Sequence, residues 1–374
     1  MSSKSWIRIL SIAISTLCLV LSIGVSNISL ATTAGNIYVA PSGSDRLGSG
    51  NSSDSPMQTI QSAINKAQPG DTINLAPGTY LQDFVTKIDG IQNKPITITG
   101  SADAVIKGGG KPRVVEVNHD NTVLNGFTID GLWGSANSAK GYRDKLIYVQ
   151  GKGNKSGVEN LKIVNMHIQN AGGECIRLRY FAKNNEIAFN TIQNCGVKDF
   201  KFGGTKKNGE AVYVGTAPEQ NGDGKNPTSD LDRSSNNWIH NNKIDTQGNE
   251  CVDIKEGATD NIVENNICTG QKDPNSGGFS VRGNNNTIRL NKVYNNNGAG
   301  IRLGGDTPRD GSENQVYGNN IYNNAGGGIK FQAEPQTNIC GNTMVNNTVG
   351  DSIGKFSSRF SPTDNCVFSN YQNL

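Results

Sequence analysis

The segments NIVENNIC (residues 261–268) and NTIRLNKV (residues 286–293) share one pattern, a short β-forming run between two asparagines, the second of which falls at Asn266 and Asn291. The same pattern recurs in NTVLNGFTI, NLKIVNMHI, NEIAFNTI, NWIHNNKI, NQVYGNNI and TNICGNTM, with asparagines at Asn125, Asn165, Asn190, Asn242, Asn319 and Asn342. Successive spacings are 40, 25, 52, 24, 25, 28 and 23, so the period is near 25 and the long intervals carry insertions. That period is too short for paired helices, and no heptad or leucine-rich signature accompanies it, so each repeat consists of short strands and turns. An asparagine kept at one register suits a stack of coils in which each amide hydrogen-bonds its copy about 4.8 Å away. The expectation is an all-β, single-stranded parallel β-helix with an asparagine ladder.

A second strand in each repeat supports the register: VVEVN, LIYVQ, CIRLR, AVYVG, CVDIK, GFSVR, GIRLG and GIKFQ. Alternation turns pairs such as Ile176/Leu178, Val212/Val214, Val252/Ile254 and Phe279/Val281 inward. A slip of one residue would expose the whole set. The outward columns then hold Arg177, Tyr213, Asp253, Arg302 and Lys330 in one register, and Arg179, Lys255 and Arg282 in the next. The small residues Cys175, Ala211, Cys251, Gly278, Gly300 and Gly328 precede these strands and suggest a floor on which a polymer can lie close.

At the N-terminal end, SPMQTIQSAINKAQPGD reads as an amphipathic helix over about 56–67 that caps the solenoid, with coils over about 71–349 and a C-terminal cap over 350–374. Lys4 and Arg8, an apolar run to about Val25 and a small-residue site at Ala31 make residues 1–31 a signal-peptide pattern, with an uncleaved anchor as the alternative. The chain is therefore expected outside the cytoplasm, secreted or periplasmic, and without membrane attachment once the signal is removed. Beyond Cys18, six cysteines remain; Cys340 with Cys366 is the preferred disulfide, and the other four fit pairing or simple burial equally. With 35 basic and 32 acidic residues the net charge is +3, too small and dispersed for a nucleic-acid partner. The single histidines His119, His167 and His240 have no zinc-site spacing.

Glu174, Glu210 and Glu250 stand in one register just before their strands. Stacking would bring the carboxylates within roughly 5 Å, where like charges repel unless a cation intervenes. Arg177 and Arg179 can serve Glu174, whereas Glu210, Glu250 and Asp253 form an oxygen cage suited to Ca²⁺. Arg282, one coil beyond Lys255, is expected to lower the lysine pKa toward that of a general base. The loops 130–145 and 215–237 leave the coil beside this face. Trp133 and Tyr142 in the first can stack on sugar rings or anchor the loop, and Asp230 and Asp232 in the second fit a metal less well than a solvated loop.

With these residues assembled, the chain resembles secreted right-handed β-helix polysaccharide lyases, in particular the group of alginate lyases and chondroitinase B. The likeness rests on NECVDIKEG through GGFSVRG, where a glutamate precedes a lysine by five residues and an arginine follows on the next coil. It implies a right-handed helix, Ca²⁺ held by Glu250 and a residue of the preceding coil, Lys255 as the base at C5 of a uronate, and Arg282 assisting departure at C4. The group's further acidic ligand position is Gly248 here, and GNN follows the arginine where the group has histidine-glycine. A guanidinium hardly gives up its proton, so Arg282 is better read as an electrostatic donor, leaving Tyr213 or water to protonate the leaving oxygen. Arg177, Arg179, Tyr213, Arg302 and Lys330 would bind an acidic polysaccharide, with the protein acting as a monomer. The competing readings are a uronate C5-epimerase, which returns the proton it removes, and a non-catalytic carbohydrate-binding β-helix.

Overall fold

The computed structural model describes residues 34–366; the proposed signal segment and Cys18 lie outside them. Three sheets of 11, 10 and 10 strands run the length of the solenoid, and in each sheet every strand pairs in parallel with its counterpart one coil away. Each coil contributes one short strand to each sheet, so the chain is a right-handed parallel β-helix.

The sheet that matters for function runs through Arg113–Val117, Lys145–Gln150, Ile176–Arg179, Val212–Val214, Val252–Ile254, Gly277–Val281, Ala299–Leu303 and Ile329–Phe331. Its register stacks Ile176, Val212, Val252, Phe279, Ile301 and Ile329, and beside them Arg177, Tyr213, Asp253, Ser280, Arg302 and Lys330. The first column is fully buried in the core that fills the helix. Alternation in the sequence therefore fixes the pairing, as it must where one face is enclosed.

The helix Ile60–Lys66 closes the N-terminal end with Ile60, Ala63 and Ile64 buried, and Thr59 caps it by accepting from the Ser62 amide. At the other end, Cys340 bonds Cys366. Cys175–Cys195 and Cys251–Cys268 are disulfides as well, which resolves the four cysteines that sequence left open.

The asparagine ladder runs unbroken from Asn190 through Asn242, Asn266, Asn291 and Asn319 to Asn342, each side-chain amide donating to the next at 2.8–3.1 Å. Asn125 and Asn165 do not belong to it. Asn165 sits one residue earlier, at φ 56°, and bonds Asn125 on the exterior, while Met166 occupies the ladder position and donates its backbone N–H to Asn190. Two further ladders line other corners, Asn185–Asn237–Asn261–Asn286 and Asn296–Asn324–Asn347. Buried amides stacked in this way satisfy one another and the turn carbonyls, which keeps polar corners inside an apolar core.

The small-residue column is not a floor for a ligand. Cys175, Ala211 and Cys251 are fully buried, and a Cβ added at Gly278, Gly300 or Gly328 would strike Cys268 Sγ at 2.9 Å, Ile321 Cγ2 at 2.4 Å or Met344 Cε at 2.3 Å. These residues are small because the chain turns inward there against neighbouring coils and the disulfides.

Candidate active site

Glu174, Glu210 and Glu250 each precede a strand of the same sheet, and their environments differ sharply. Glu174 accepts from Arg177 at 2.9 Å and pairs on its other oxygen with Lys145. Burial pushes its pKa up, but Lys145 and Arg177 prevail and hold it down to about 2. Arg179 takes no part: it donates to Asn226 at 2.6 Å and Asp223 at 2.8 Å in the loop 215–237, and is buried beneath that loop. Arg177 likewise donates to Gln220 at 2.7 Å. Both arginines thus anchor the loop that walls the groove.

One coil on, the balance reverses. Glu210, Glu250 and Asp253 are buried, and one oxygen from each lies within 4.8 Å of the others. Glu250 accepts from the Ser276 hydroxyl on one oxygen, while its Oε2 has no hydrogen-bond partner; Asp253 Oδ1 and Asn249 Oδ1 are also buried without a hydrogen bond, the former 3.7 Å from Arg282 Nε. Burial, then Asp253 and Glu210, push Glu250 up to about 8. Burial, then Glu174 and Asp253, push Glu210 up to about 7. Glu250 Oε2 and Asn249 Oδ1, buried without partners beside a cluster of three carboxylates, are donors suited to a hard cation, so the residues present fit Ca²⁺. Glutamate and aspartate alone make up the cluster, without the imidazole or thiolate donors that favour copper.

Lys255 Nζ lies 2.7 Å from Asp253 Oδ2 and 4.7 Å above the Tyr213 ring, whose centroid is 4.2 Å from the Arg177 guanidinium. The expectation of a lowered lysine pKa is corrected here. Burial and Arg282 do act downward, but Asp253 in direct contact outweighs them and raises it. Burial raises the Tyr213 phenol as well. Arg282 reaches Asp253 at 3.7 Å, Glu256 at 3.5 Å and Asp306 at 3.3 Å. Glu256, from the turn after the strand, thus pairs with the arginine alongside Asp306.

These groups line a cavity of about 410 Å³ that includes Glu210, Tyr213, Glu250, Asp253, Lys255, Arg282 and Arg302. A second cavity of about 770 Å³ adjoins it over the earlier coils, with Lys111, Arg113, Lys145, Tyr148, Arg177 and Arg179 in its walls. Arg177, Lys206, Asn208 and Gln220 line both, so the two form one continuous groove. Lys330 lies outside both linings and contacts the Asn275 carbonyl at 3.4 Å. Asp232 is no metal ligand: it accepts from the Tyr180 and Phe181 amides and the Thr216 and Ser234 hydroxyls, while Asp230 pairs with Lys155. Tyr142 is buried and anchors its loop, whereas Trp133 lies under the Arg143 guanidinium at 4.2 Å and stays half exposed. Sequence reasoning missed Lys145, Asn249 and Ser276. Asn249 adjoins Glu250 and was within reach; Lys145 and Ser276 act from neighbouring coils and needed the register of the turns.

The profile of the family described as "Protein of unknown function (DUF1565)" matches residues 42–276, more than half of the chain. The chain belongs to the DUF1565 family. A second profile, "Periplasmic copper-binding protein (NosD)", matches residues 218–365 of this DUF1565 chain. No curated protein matches it. Among solved structures, an alginate lyase from Paenibacillus sp. str. FPU-7 superposes with a TM-score of 0.62 at 23% identity, covering 78% of this chain and 96% of the other. Pectate lyase Pel9A gives 0.50 at 17% identity over 86% and 79%, and the DFA-IIIase of Arthrobacter chlorophenolicus A6 gives 0.50 at 14% over 84% and 86%. At these identities the likeness is one of fold. No helix among the described residues is long and apolar enough to cross a membrane.

Proposed function

We propose that this protein is an exported lyase that cleaves a uronate-containing polysaccharide by β-elimination, with Ca²⁺ at Glu210, Glu250 and Asp253. The observation that carries the reading is Lys255 set between Asp253 and Tyr213 in a cavity rimmed by orphaned carboxylate and amide oxygens. Three disulfides support export to an oxidising compartment, and the names of two similar folds, alginate lyase and pectate lyase, support an acidic glycan.

When bound, Ca²⁺ would neutralise the uronate carboxylate and acidify the proton at C5. Lys255 Nζ takes that proton, the C4–O bond breaks as the C4–C5 double bond forms, and the Tyr213 phenol, beside Lys255, protonates the departing oxygen. A phenol kept neutral by burial suits the acid role. Asp253 sets a condition on the base, because while its charge is given to Lys255 the amine stays protonated. Arg282, 3.7 Å from the other Asp253 oxygen, is the chain's own cation placed to share that charge. Arg177 and Arg302 line the cavity to receive neighbouring uronates, and Arg179 acts on the groove only through its loop.

The test is to incubate the protein with alginate, pectate and dermatan, with and without Ca²⁺, and to follow the ultraviolet absorbance of unsaturated uronate ends. Absorbance that survives Lys255→Ala would sink the mechanism. Binding without absorbance on every substrate would replace the lyase by a binding protein.

A further inference from the structure

A different sheet of the solenoid carries an aromatic feature that the groove does not use. Trp238 opens the strand Trp238–His240 at an outward position, between Glu186 of the preceding coil and Ile262 of the next. Large aromatic side chains on the outer face of a solenoid have no core to fill, yet Trp238 is 42% exposed and Phe189 57%. Their orientation is fixed rather than free. The Trp238 ring stacks on His240 at 3.7 Å and donates its indole N–H to Glu264 at 2.7 Å; Phe189 meets His240 edge-on at 5.5 Å, and Glu186 lies 3.3 Å from His240 Nε2.

Beside this platform lies a cavity of about 350 Å³, walled by Trp238, Asn160, Asn184 and Asn236 together with Lys162 and Glu186. Lys162 and Glu186 pair at 2.7 Å, so the cavity offers hydroxyl-binding groups without a free charge. A rigid indole beside primary amides and a neutralised ion pair recognises a ring with an apolar C–H face and a rim of hydroxyls. We infer that Trp238 and the surrounding asparagines form a second glycan site that binds a pyranose ring by stacking, independently of the acidic groups that the groove would require. The inference rests on the reading of the protein as carbohydrate-active, but it concerns a separate surface and is read by binding alone.

The chain contains three tryptophans, Trp6, Trp133 and Trp238, so Trp6→Phe with Trp133→Phe leaves Trp238 as the sole indole emitter. That variant is titrated with oligosaccharides of alginate, pectate, cellulose and xylan, followed by emission, with Lys255→Ala added in a parallel series. The expected result is a saturable emission change with at least one glycan, unaltered by Lys255→Ala. On that glycan Trp238→Ala, made in the otherwise native chain, weakens retention roughly 10-fold, whereas Trp238→Tyr, which keeps an aromatic face, retains most of it. The Tyr variant separates a lost ring from a misfolded strand. Unchanged emission with all four glycans overturns the inference, and so does equal retention of Trp238→Ala and the native chain. A protein that produces no unsaturated ends yet responds at Trp238 would refute the lyase and leave this site standing; active lyase with a silent Trp238 would do the reverse.

Discussion

Glu250→Gln should stabilise the metal-free protein at alkaline pH and leave it nearly unchanged in acid. The Glu250 carboxyl is pushed up to about 8 and Glu210 to about 7, above an ordinary value of 4.5, with burial as the first cause. The folded state therefore holds protons that the unfolded chain has released. The resulting stability is fully present below about pH 4.5 and is lost as pH rises through about 7–8. Glu174 and Asp253, both held low, are ionised throughout that window and do not alter the sign. Near pH 8 an ionised Glu250 costs on the order of 4 kcal/mol relative to the unfolded chain. Glutamine keeps the shape and the Ser276 contact without the charge. Melting is the assay, and for a chain of this size about 1.4 °C per kcal/mol puts the variant roughly 5 °C above the native protein near pH 8 in chelator. Near pH 5 the two should coincide. Millimolar Ca²⁺ should reverse the order at pH 8, because the native protein gains ligand stabilisation and the variant has lost a donor. An equal difference at both pH values in chelator would refute the electrostatic argument, and an order unaffected by Ca²⁺ would refute the cation site.

Lys255→Ala should lower the rate of unsaturated-end formation by roughly 10²–10⁴, read by ultraviolet absorbance; a smaller loss would move the base elsewhere. Because Asp253 raises the lysine pKa, kcat/KM of the native protein in the proposed reaction should still be climbing above about pH 8, and a profile flat from neutrality upward would contradict that pairing. Arg179→Leu removes the bonds that tie Asp223 and Asn226 to the strand beneath them and should hasten limited proteolysis within 215–237; an unchanged cleavage rate would show the loop to be held by other contacts. Asn266→Leu takes the Asn242 side-chain amide's ladder acceptor and leaves the Ile239 and Glu264 carbonyls without this donor, at about 1–3 kcal/mol for each buried group, whereas exposed Asn165→Gly, which fits the φ of 56° there, should stay within about 0.5 kcal/mol. Comparable losses in melting temperature for the two would remove the distinction between ladder and surface asparagines.

The strands were legible because burial on one face makes alternation strict: Val252 and Ile254 could point only inward, and the register of Asp253 with Tyr213 and Ser280 followed. Turns carry no such period. One residue of drift assigned Asn165 to a ladder in which Met166 stands, and it made the inward-facing Cys251 and Gly278 look like an open floor. Charge balance was legible only in part for a related reason. The sequence placed Arg282 beside Lys255, but whether the arginine or Asp253 dominates depends on a contact of 2.7 Å against one of 3.7 Å between the same carboxylate and its two cations. Arg177 and Arg179 read as exposed bases because their cover, Gln220, Asp223 and Asn226, comes from an insertion more than 40 residues along the chain.

Each strand hydrogen-bonds only its counterparts one coil before and after. Order in such a molecule is transmitted between neighbours along one axis, so unravelling starts where a coil lacks a neighbour. The helix Ile60–Lys66 guards one of those fronts and the Cys340–Cys366 bond the other. The coils bearing Glu210, Glu250 and Arg282 lie several repeats from either end. Partial melting or trimming of a terminus should therefore fray the solenoid well before it reaches the groove, and a chain shortened by one end coil should keep its site chemistry while losing heat resistance.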